Sequence, residues 1–160
     1  MGDPKEFSLP VRLFLKAYPW RRIDPVPWTP LKKPLAESRL ALVSSAGFSL
    51  PGQTPFDETI KGGDVSFREI PADANVTQFH ENHRSHSFDH GGIRADPNLG
   101  FPLERVRELV RNKRVGSVNA RHLSFMGSIV APGRLIRDTA PAAAQLFVED
   151  QVDVALLVPV

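Results

Sequence analysis

The chain has 160 residues, of which 41% are hydrophobic and 24% are charged, and its formal net charge is +2. These values are typical of a globular protein of one domain, and they give no electrostatic indication of nucleic-acid binding. The sequence contains no cysteine, which excludes disulfide bonds, thiolate metal sites and cysteine nucleophiles within these residues.

The sequence also lacks the features that direct a chain into or across a membrane. No run approaches the roughly 18 apolar residues of a membrane-spanning helix. Residues 1–6 carry mixed charge, and the apolar stretch 11–15 is too short for the core of a signal peptide. We therefore expect a cytoplasmic protein with neither a membrane nor a nucleic acid as its partner.

Prolines concentrate at the N-terminus, where the first 34 residues hold seven of the 15. This density disfavours helix interiors and central strands. Together with Trp20 and Trp28, it predicts that residues 1–35 form an extended arm, which either packs through its aromatic side chains or docks on a partner. Residues 36–160 are predicted to form the N-terminal portion of an α/β domain.

Regular structure is predicted to begin at Arg39. The short apolar run 40–43, followed by Ser-Ser-Ala-Gly, indicates a buried strand that ends in a turn. Alternating side chains over residues 65–70 indicate a second strand. Residues 71–100 are polar and lack periodicity, which predicts a long loop that is functional or mobile.

The remaining residues predict helices that flank a sheet. Apolar residues recur at helical spacing over 102–114 and again over 134–150, with a kink or a fresh start before Pro141. The apolar, β-branched run 152–160 is typical of a central strand with helices on both faces; a strand at the sheet edge is the alternative. The pattern predicts an α/β fold with a mainly parallel sheet and flanking helices, truncated after a central strand.

Candidate functional side chains concentrate in the predicted loop. Histidines three or four residues apart could hold zinc on a helix, but the serines and glycines among them favour a loop, so we expect no metal. Arginines beside imidazoles suit a carboxylate, so the loop either binds a small anion or forms a polar network that orders the loop itself. The members are His80, His83, Arg84, His86, Asp89, His90, Arg94 and Asp96.

A second cluster spans residues 116–128. Glycine, serine and asparagine between apolar residues indicate backbone amides near a ligand, and Asn119, Arg121 and His122 are its candidate side chains. The segment lacks the ending of a phosphate-binding P-loop, and no dinucleotide-binding fingerprint follows the first strand. The chain also has no Gly-x-Ser-x-Gly motif of a serine hydrolase.

Four segments resemble a known family in their order and spacing. They are Val-Ser-Ser-Ala-Gly-Phe at 43–48, Gly-Asp-Val-Ser-Phe-Arg-Glu-Ile at 63–70, His-Arg-Ser-His-Ser-Phe-Asp at 83–89 and Ala-Pro-Ala-Ala-Ala-Gln at 140–145. Across about residues 40–160 the chain resembles the selenoprotein B family of glycine/betaine/sarcosine/D-proline reductases, most closely the D-proline reductase-like branch. The resemblance implies an oxidoreductase subunit that reductively cleaves a C–N bond in an amino acid or related amine, with a dithiol/disulfide couple as redox partner.

The resemblance also implies where the reactive group lies. In that family a selenocysteine directly follows an apolar strand like the last one here, so we expect it just after Val160, with a UGA codon read as a stop. We then expect no bound cofactor, no activity of the fragment alone, and partnership with other subunits of a reductase complex. A selenol shares the advantage of a low-pKa thiolate as a nucleophile.

The candidate residues take supporting roles under this interpretation. His83, His86, Asp89, His90 and His122 are expected to assist catalysis, one histidine by proton transfer, and Arg84, Arg94, Asn119 and Arg121 are expected to bind substrate. The alternative is a non-catalytic subunit for small-anion binding or for assembly.

Overall fold

The computed structural model describes residues 7–18, 22–85 and 88–160. The chain divides into two compact units, Met1–Pro30 and Leu31–Val160. In the first unit, residues Leu9–Ala17 form helix α1, so the prediction of an extended arm is wrong for this segment. The helix is possible because Pro10 lies in its first turn, where a backbone N–H has no intrahelical partner. Trp28 is exposed, and Trp20 lies outside the described residues.

The second unit alternates strands and helices. Its strands are β1 (Arg39–Ser44), β2 (Phe48–Ser49), β3 (Phe67–Pro71), β4 (His80–Glu81), β5 (Ser117–Val118), β6 (Arg121–Phe125) and β7 (Val154–Val158). Its helices are α2 (His90–Ala95), α3 (Leu103–Arg111) and α4 (Ala140–Glu149), with a π-helical turn at Leu135–Thr139 and 3-10 turns at Leu35–Glu37, Val76–Gln78 and Pro97–Leu99. No described helix has the length and apolar character needed to cross a membrane.

Strand β1 lies inside a mostly parallel sheet. Along one edge it pairs in parallel with β5 and then with β6, and along the other edge with β7. Strand β3 pairs antiparallel with β6 and closes that side, while β2 and β4 form a separate antiparallel ribbon. The predicted α/β class with a mainly parallel sheet and flanking helices is confirmed.

Helices cover the sheet on both faces because β1 is apolar on both sides. Leu40 and Leu42 pack into a cluster that includes Leu103 and Val106 of α3. Ala41, between them in sequence, packs with Ala143 and Phe147 of α4 on the opposite face. Such two-sided burial is the reason that strands of parallel sheets are continuous apolar runs.

Within the described chain the last strand has a neighbour on one side. Strand β7 pairs with β1 alone among the described strands, and the side chains of Leu156 and Leu157 are 39% and 66% exposed. This arrangement is the one expected both for a strand at the sheet edge, the sequence alternative, and for a central strand at which the sheet is truncated. An edge strand this apolar is unusual, since natural sheets protect their edges with charge or cover.

The segment 71–100, predicted as a loop, contains two short helical turns, strand β4 and helix α2. Of its few hydrophobic side chains, Val76 and Ile93 are buried and Phe79 and Phe88 pack half-buried against the core. The segment is therefore packed against the body of the fold.

Candidate functional site

The carboxyl ends of three parallel strands meet at one edge of the sheet, here called the carboxyl edge. Ser45 follows β1, and its N–H donates to the carbonyl of Val158 at 3.1 Å. The N–H of Gly127, two residues after β6, donates to the carbonyl of Ser45 at 2.8 Å. The N–H of Val160 donates to the Ser45 hydroxyl at 3.0 Å. Open α/β sheets bind ligands at this edge.

His83 reaches the carboxyl edge from the segment after β4. Its ring is buried and stacks on Phe88, with 4.2 Å between ring centroids. Its Nδ1 accepts from the Ser85 N–H at 3.3 Å, which places the proton of the neutral ring on Nε2. That Nε2 has no hydrogen-bond partner in the described part of the chain. Burial lowers the pKa of His83, which keeps the ring neutral near pH 7.

Gly127 leaves the space that His83 faces. A Cβ at Gly127 would lie 2.8 Å from His83 Nε2 and 3.5 Å from the Ser45 Cβ. The imidazole and Ser45 therefore approach the same small volume from two sides. Ser45 thus contacts both the end of β7, through Val160, and Gly127, against which His83 Nε2 lies.

Three members of the predicted loop cluster contact Glu81, whose side chain is only 3% exposed. Its carboxylate accepts from the His83 N–H at 2.7 Å, from His90 Nδ1 at 3.1 Å and from Arg94 at 3.1 Å. The hydrogen bond to Glu81 raises the pKa of His90. These contacts form a polar network that orders the segment, one of the two alternatives that the sequence leaves open.

Two further members of that cluster have local roles. Asp89 accepts the Gly92 N–H at 2.9 Å and caps helix α2, and Arg84 donates to the Ile60 carbonyl at 2.8 Å. His86 lies outside the described residues. Within the described ranges, no three His, Cys, Asp or Glu side chains form a group that could hold a metal ion.

Asn119 and Arg121 lie at the opposite, amino edge of the sheet. The Arg121 guanidinium donates to both carboxylate oxygens of Asp150 at 2.7 and 2.8 Å, and the Asn119 amide donates to the same carboxylate at 2.8 Å. These bonds lower the pKa of Asp150 and raise that of Arg121. The cluster ties the start of β6 to the end of α4.

His122 is a core residue of strand β6. It is fully buried, and its Nδ1 accepts the Leu42 N–H at 3.1 Å. Burial and the nearby charge of Arg107 lower the pKa of His122 to about 4. The ring is therefore neutral at physiological pH and lies away from the carboxyl edge.

An apolar groove of about 540 Å³ runs along the sheet face below the carboxyl edge. Strands β1, β6 and β7 form its floor, and helix α4 with the preceding π-helical turn forms one wall. None of the described residues that line it is charged. They include Val43, Ser45, Leu123, Phe125, Gly127, Ala143, Phe147, Ala155, Leu157 and Val158.

Sequence reasoning missed Glu81 and Asp150, the two carboxylates that organise the polar clusters. Asp150 is 29 residues from Arg121, and no local pattern reveals a pair at that separation. The position of Ser45 could have been found, because it follows the predicted apolar strand at 40–43; Gly127 comes two residues after β6, a strand that the sequence analysis did not predict.

Comparison with known proteins gives one informative similarity. The chain is 32% identical over 136 residues to the D-proline reductase subunit gamma of Acetoanaerobium sticklandii. The match covers 84% of this chain and 54% of the relative, so the chain spans about half the length of that protein. No protein-family model and no solved structure match the chain. The similarity supports the D-proline reductase-like part of the family resemblance, because most of this chain has a counterpart in a reductase subunit.

Proposed function

We propose that this chain is part of a reductase subunit of the D-proline reductase type. The observation that carries the proposal is the 32% identity with a D-proline reductase gamma subunit over 84% of the chain. The other subunits of such a complex are then its partners, and a small cyclic or open amino acid is its substrate.

The proposed reaction is the reductive cleavage of a C–N bond. A dithiol gives up two electrons and two protons and becomes a disulfide, while the carbon and the nitrogen each end with a new bond to hydrogen. The selenocysteine that the family resemblance implies after Val160 supplies the ionised nucleophile of this chemistry.

The residues of the carboxyl edge support this proposal by their geometry. Ser45 holds the Val160 N–H at 3.0 Å, so the backbone that leaves β7 is directed past Ser45 and Gly127. His83 faces the same volume with an unpartnered Nε2 that carries the proton. A neutral imidazole in this position can donate a hydrogen bond from Nε2 to an anion or to a reacting group that gains negative charge. We assign this hydrogen-bond donation to His83 rather than to His90 or His122.

The alternative of a small-anion-binding subunit has less support in the geometry. Each arginine predicted to bind substrate has a protein partner: Arg84 donates to a backbone carbonyl, Arg94 pairs with Glu81, and Arg121 pairs with Asp150. The Arg121 guanidinium is half-buried against Asp150, and the exposed Arg94 is paired with the buried carboxylate of Glu81, so an incoming carboxylate would compete with these partners.

Selenium labelling combined with a redox assay tests the proposal. The gene region that encodes this chain and the codons after it is expressed with radioactive selenite in a host that inserts selenocysteine. We expect labelled polypeptide and, with the partner subunits and dithiothreitol, thiol oxidation that depends on D-proline. Unlabelled polypeptide without thiol oxidation on D-proline, glycine, betaine or sarcosine would overturn it.

A further inference from the structure

Strand β7 has one backbone edge that the described chain leaves unpaired. Residues 154–158 pair in parallel with β1 over its residues 40–44, and no other described strand lies beside β7. The carbonyl of Val158 accepts from Ser45, so it faces β1. Because successive peptide groups of a strand point to opposite sides, the N–H and C=O of Leu157 face away from β1. They are available to another strand.

The three middle side chains of β7 are exposed, whereas Val154 and Val158 at its ends are half-buried and pack against the core on the α3 face. Leu157 and Ala155 line the apolar groove on the α4 side, and Leu157 is 66% exposed. Leu156 points to the other face and is 39% exposed. Parallel strands are normally covered on both faces, so β7 has the composition of an inner strand and the surroundings of an edge strand.

Three observations define what fits this surface. An unpaired strand edge takes a polypeptide in extended conformation, because its N–H and C=O groups need backbone partners. The groove beside it has no charged side chain among its described lining residues, so the partner's contact face is apolar. The D-proline reductase gamma subunit has a little under half of its length outside the match to this chain, which is ample for a further strand and a covering helix.

We propose that the β7 edge and the adjoining groove form a docking surface for the unmatched portion of a D-proline reductase-type gamma subunit. That portion adds a strand parallel to β7 and places an apolar element over Leu157. This inference rests on the proposed function for the identity of the partner. The surface is an assembly site within one reductase subunit, and it adjoins the His83 site, with which it shares Ser45 and Gly127.

Amide hydrogen exchange on two co-expressed polypeptides tests the docking surface. The 160-residue chain is produced alone and together with the portion of the Acetoanaerobium sticklandii gamma subunit that its match leaves out. We expect a stable complex in which the Leu157 amide exchanges at least about tenfold more slowly than in the chain alone, as for a hydrogen bond worth about 1.4 kcal/mol. Amides of α1, in the other unit, should not change.

Matched substitutions locate the contact. Leu157→Lys places a charge over the groove, and we expect it to weaken the complex at least about tenfold. Val148→Lys changes a residue of α4 that is equally exposed, at 69%, and does not line the groove, so it should leave binding unchanged. Both variants should melt like the parent chain, because each residue is exposed.

The outcomes separate this inference from the proposed function. A missing complex, equal effects of the two lysines, or protection of Leu157 in a dimer of the chain alone would each overturn the docking surface. If the co-expressed portion is insoluble, it is joined to the chain by a flexible linker, and the exchange rate of the Leu157 amide is measured in the fused protein. An unchanged exchange rate would also overturn the docking surface. Selenium labelling and thiol oxidation are independent of these readings.

Discussion

The amino and carboxyl edges of the sheet differ in whether their polar side chains have partners within the protein. At the amino edge the charged groups are paired: Arg121 with Asp150, and Lys33 with Asp153 at 2.8 Å. Asp153 also accepts the Arg39 N–H at 2.8 Å. At the carboxyl edge the contacts are backbone hydrogen bonds and apolar surface, and the imidazole Nε2 of His83 has no partner among the described residues.

Groups that stabilise the fold and a group that can react therefore lie at opposite ends of the same strands. A paired charge contributes to the fold and is unavailable to a ligand, whereas an unpartnered buried donor costs stability unless something else binds it. The ion pairs of the amino edge therefore stabilise the fold. At the carboxyl edge, His83 Nε2 can still bind a ligand or a reacting group. Substitutions along β6, which runs between the edges, can test this division.

The largest expected effect is a loss of stability at low pH that is caused by His122, a residue of β6 between the two edges. Its pKa is about 4 in the fold and 6.5 when unfolded, so the unfolded chain binds more protons between these values. Stability therefore falls as pH decreases from 6.5 towards 4, by about 3 kcal/mol in total from this residue. Urea unfolding measured across that range should show the loss.

The variant His122→Asn is the control, because its side-chain oxygen can still accept the Leu42 N–H that His122 Nδ1 accepts now. It should be less stable than the parent at pH 7, since the smaller side chain leaves a cavity. The difference between the two proteins should shrink or reverse at pH 4. Parallel pH profiles for the two proteins would show that His122 does not carry the acid sensitivity.

The next largest effect is expected at Gly127 on the carboxyl edge. In Gly127→Ala the new Cβ would lie 2.8 Å from His83 Nε2 and 3.0 Å from the Ser45 carbonyl oxygen. Relief of such overpacking costs about 1–3 kcal/mol, which thermal unfolding would detect. Gly133→Ala is the matched control, because no atom lies within 4 Å of its Cβ position.

A double mutant of Gly127 and His83 tests whether the cost of Gly127→Ala comes from contact with His83. With His83 truncated to alanine, the cost of Gly127→Ala should fall markedly, because one of the two clashing atoms is removed. Strictly additive effects of the two substitutions would mean that Gly127 and His83 are not neighbours.

The sequence predicts the apolar frame of the fold well and its edges poorly. Strand β1 and helix α3 follow from local periodicity, and both are observed near their predicted bounds. The run 152–160 contains a strand, as predicted. Its amino-acid sequence is the same whether one or two neighbouring strands are present, so the sequence does not reveal that β7 has a neighbour on one side. Helix α1 was missed because seven prolines outweighed the favourable place of Pro10 in the first turn.

The candidate site shows the same limit. The end of β1 locates Ser45, since carboxyl ends of parallel strands gather at one edge. The pairing of Arg121 with Asp150 depends on how α4 returns to the sheet, and neither residue signals the other in the sequence. Residue types alone therefore named both His83 and Arg121 as candidates and gave no sign that they lie at opposite edges.

At the amino edge, Asp150→Asn should cost about 1 kcal/mol at pH 7. It weakens charge-assisted bonds from Arg121 and leaves one oxygen for three donors, but the pair is partly exposed, so the effect is modest. The pKa of Asp150 is lowered from 3.8 in the fold, so its contribution is present above that value and lost below it. Urea midpoints of variant and parent should converge as pH falls through this range, and a gap that persists at low pH would contradict the assignment.

The smallest effect on stability is expected for His83→Phe, although the same substitution should have the largest effect on activity. Phenylalanine keeps the stacking on Phe88 and removes the unpartnered Nε2, so the free energy of unfolding should change by less than about 1 kcal/mol. In a reductase assembled as proposed, loss of this hydrogen-bond donor should lower kcat by roughly 100-fold or more.

Two further variants test whether His83 acts through the N–H at Nε2. His83→Gln places an amide N–H near the position of Nε2 and should recover part of kcat, because the amide can donate the same hydrogen bond. It should also remove the pH dependence that protonation of His83 causes, because an amide does not titrate near neutrality. His80→Phe alters an exposed histidine of β4 and should change neither stability nor turnover. If His83→Phe retains full turnover while Asp150→Asn abolishes it, the reactive group lies at the amino edge and the division between the two edges is reversed.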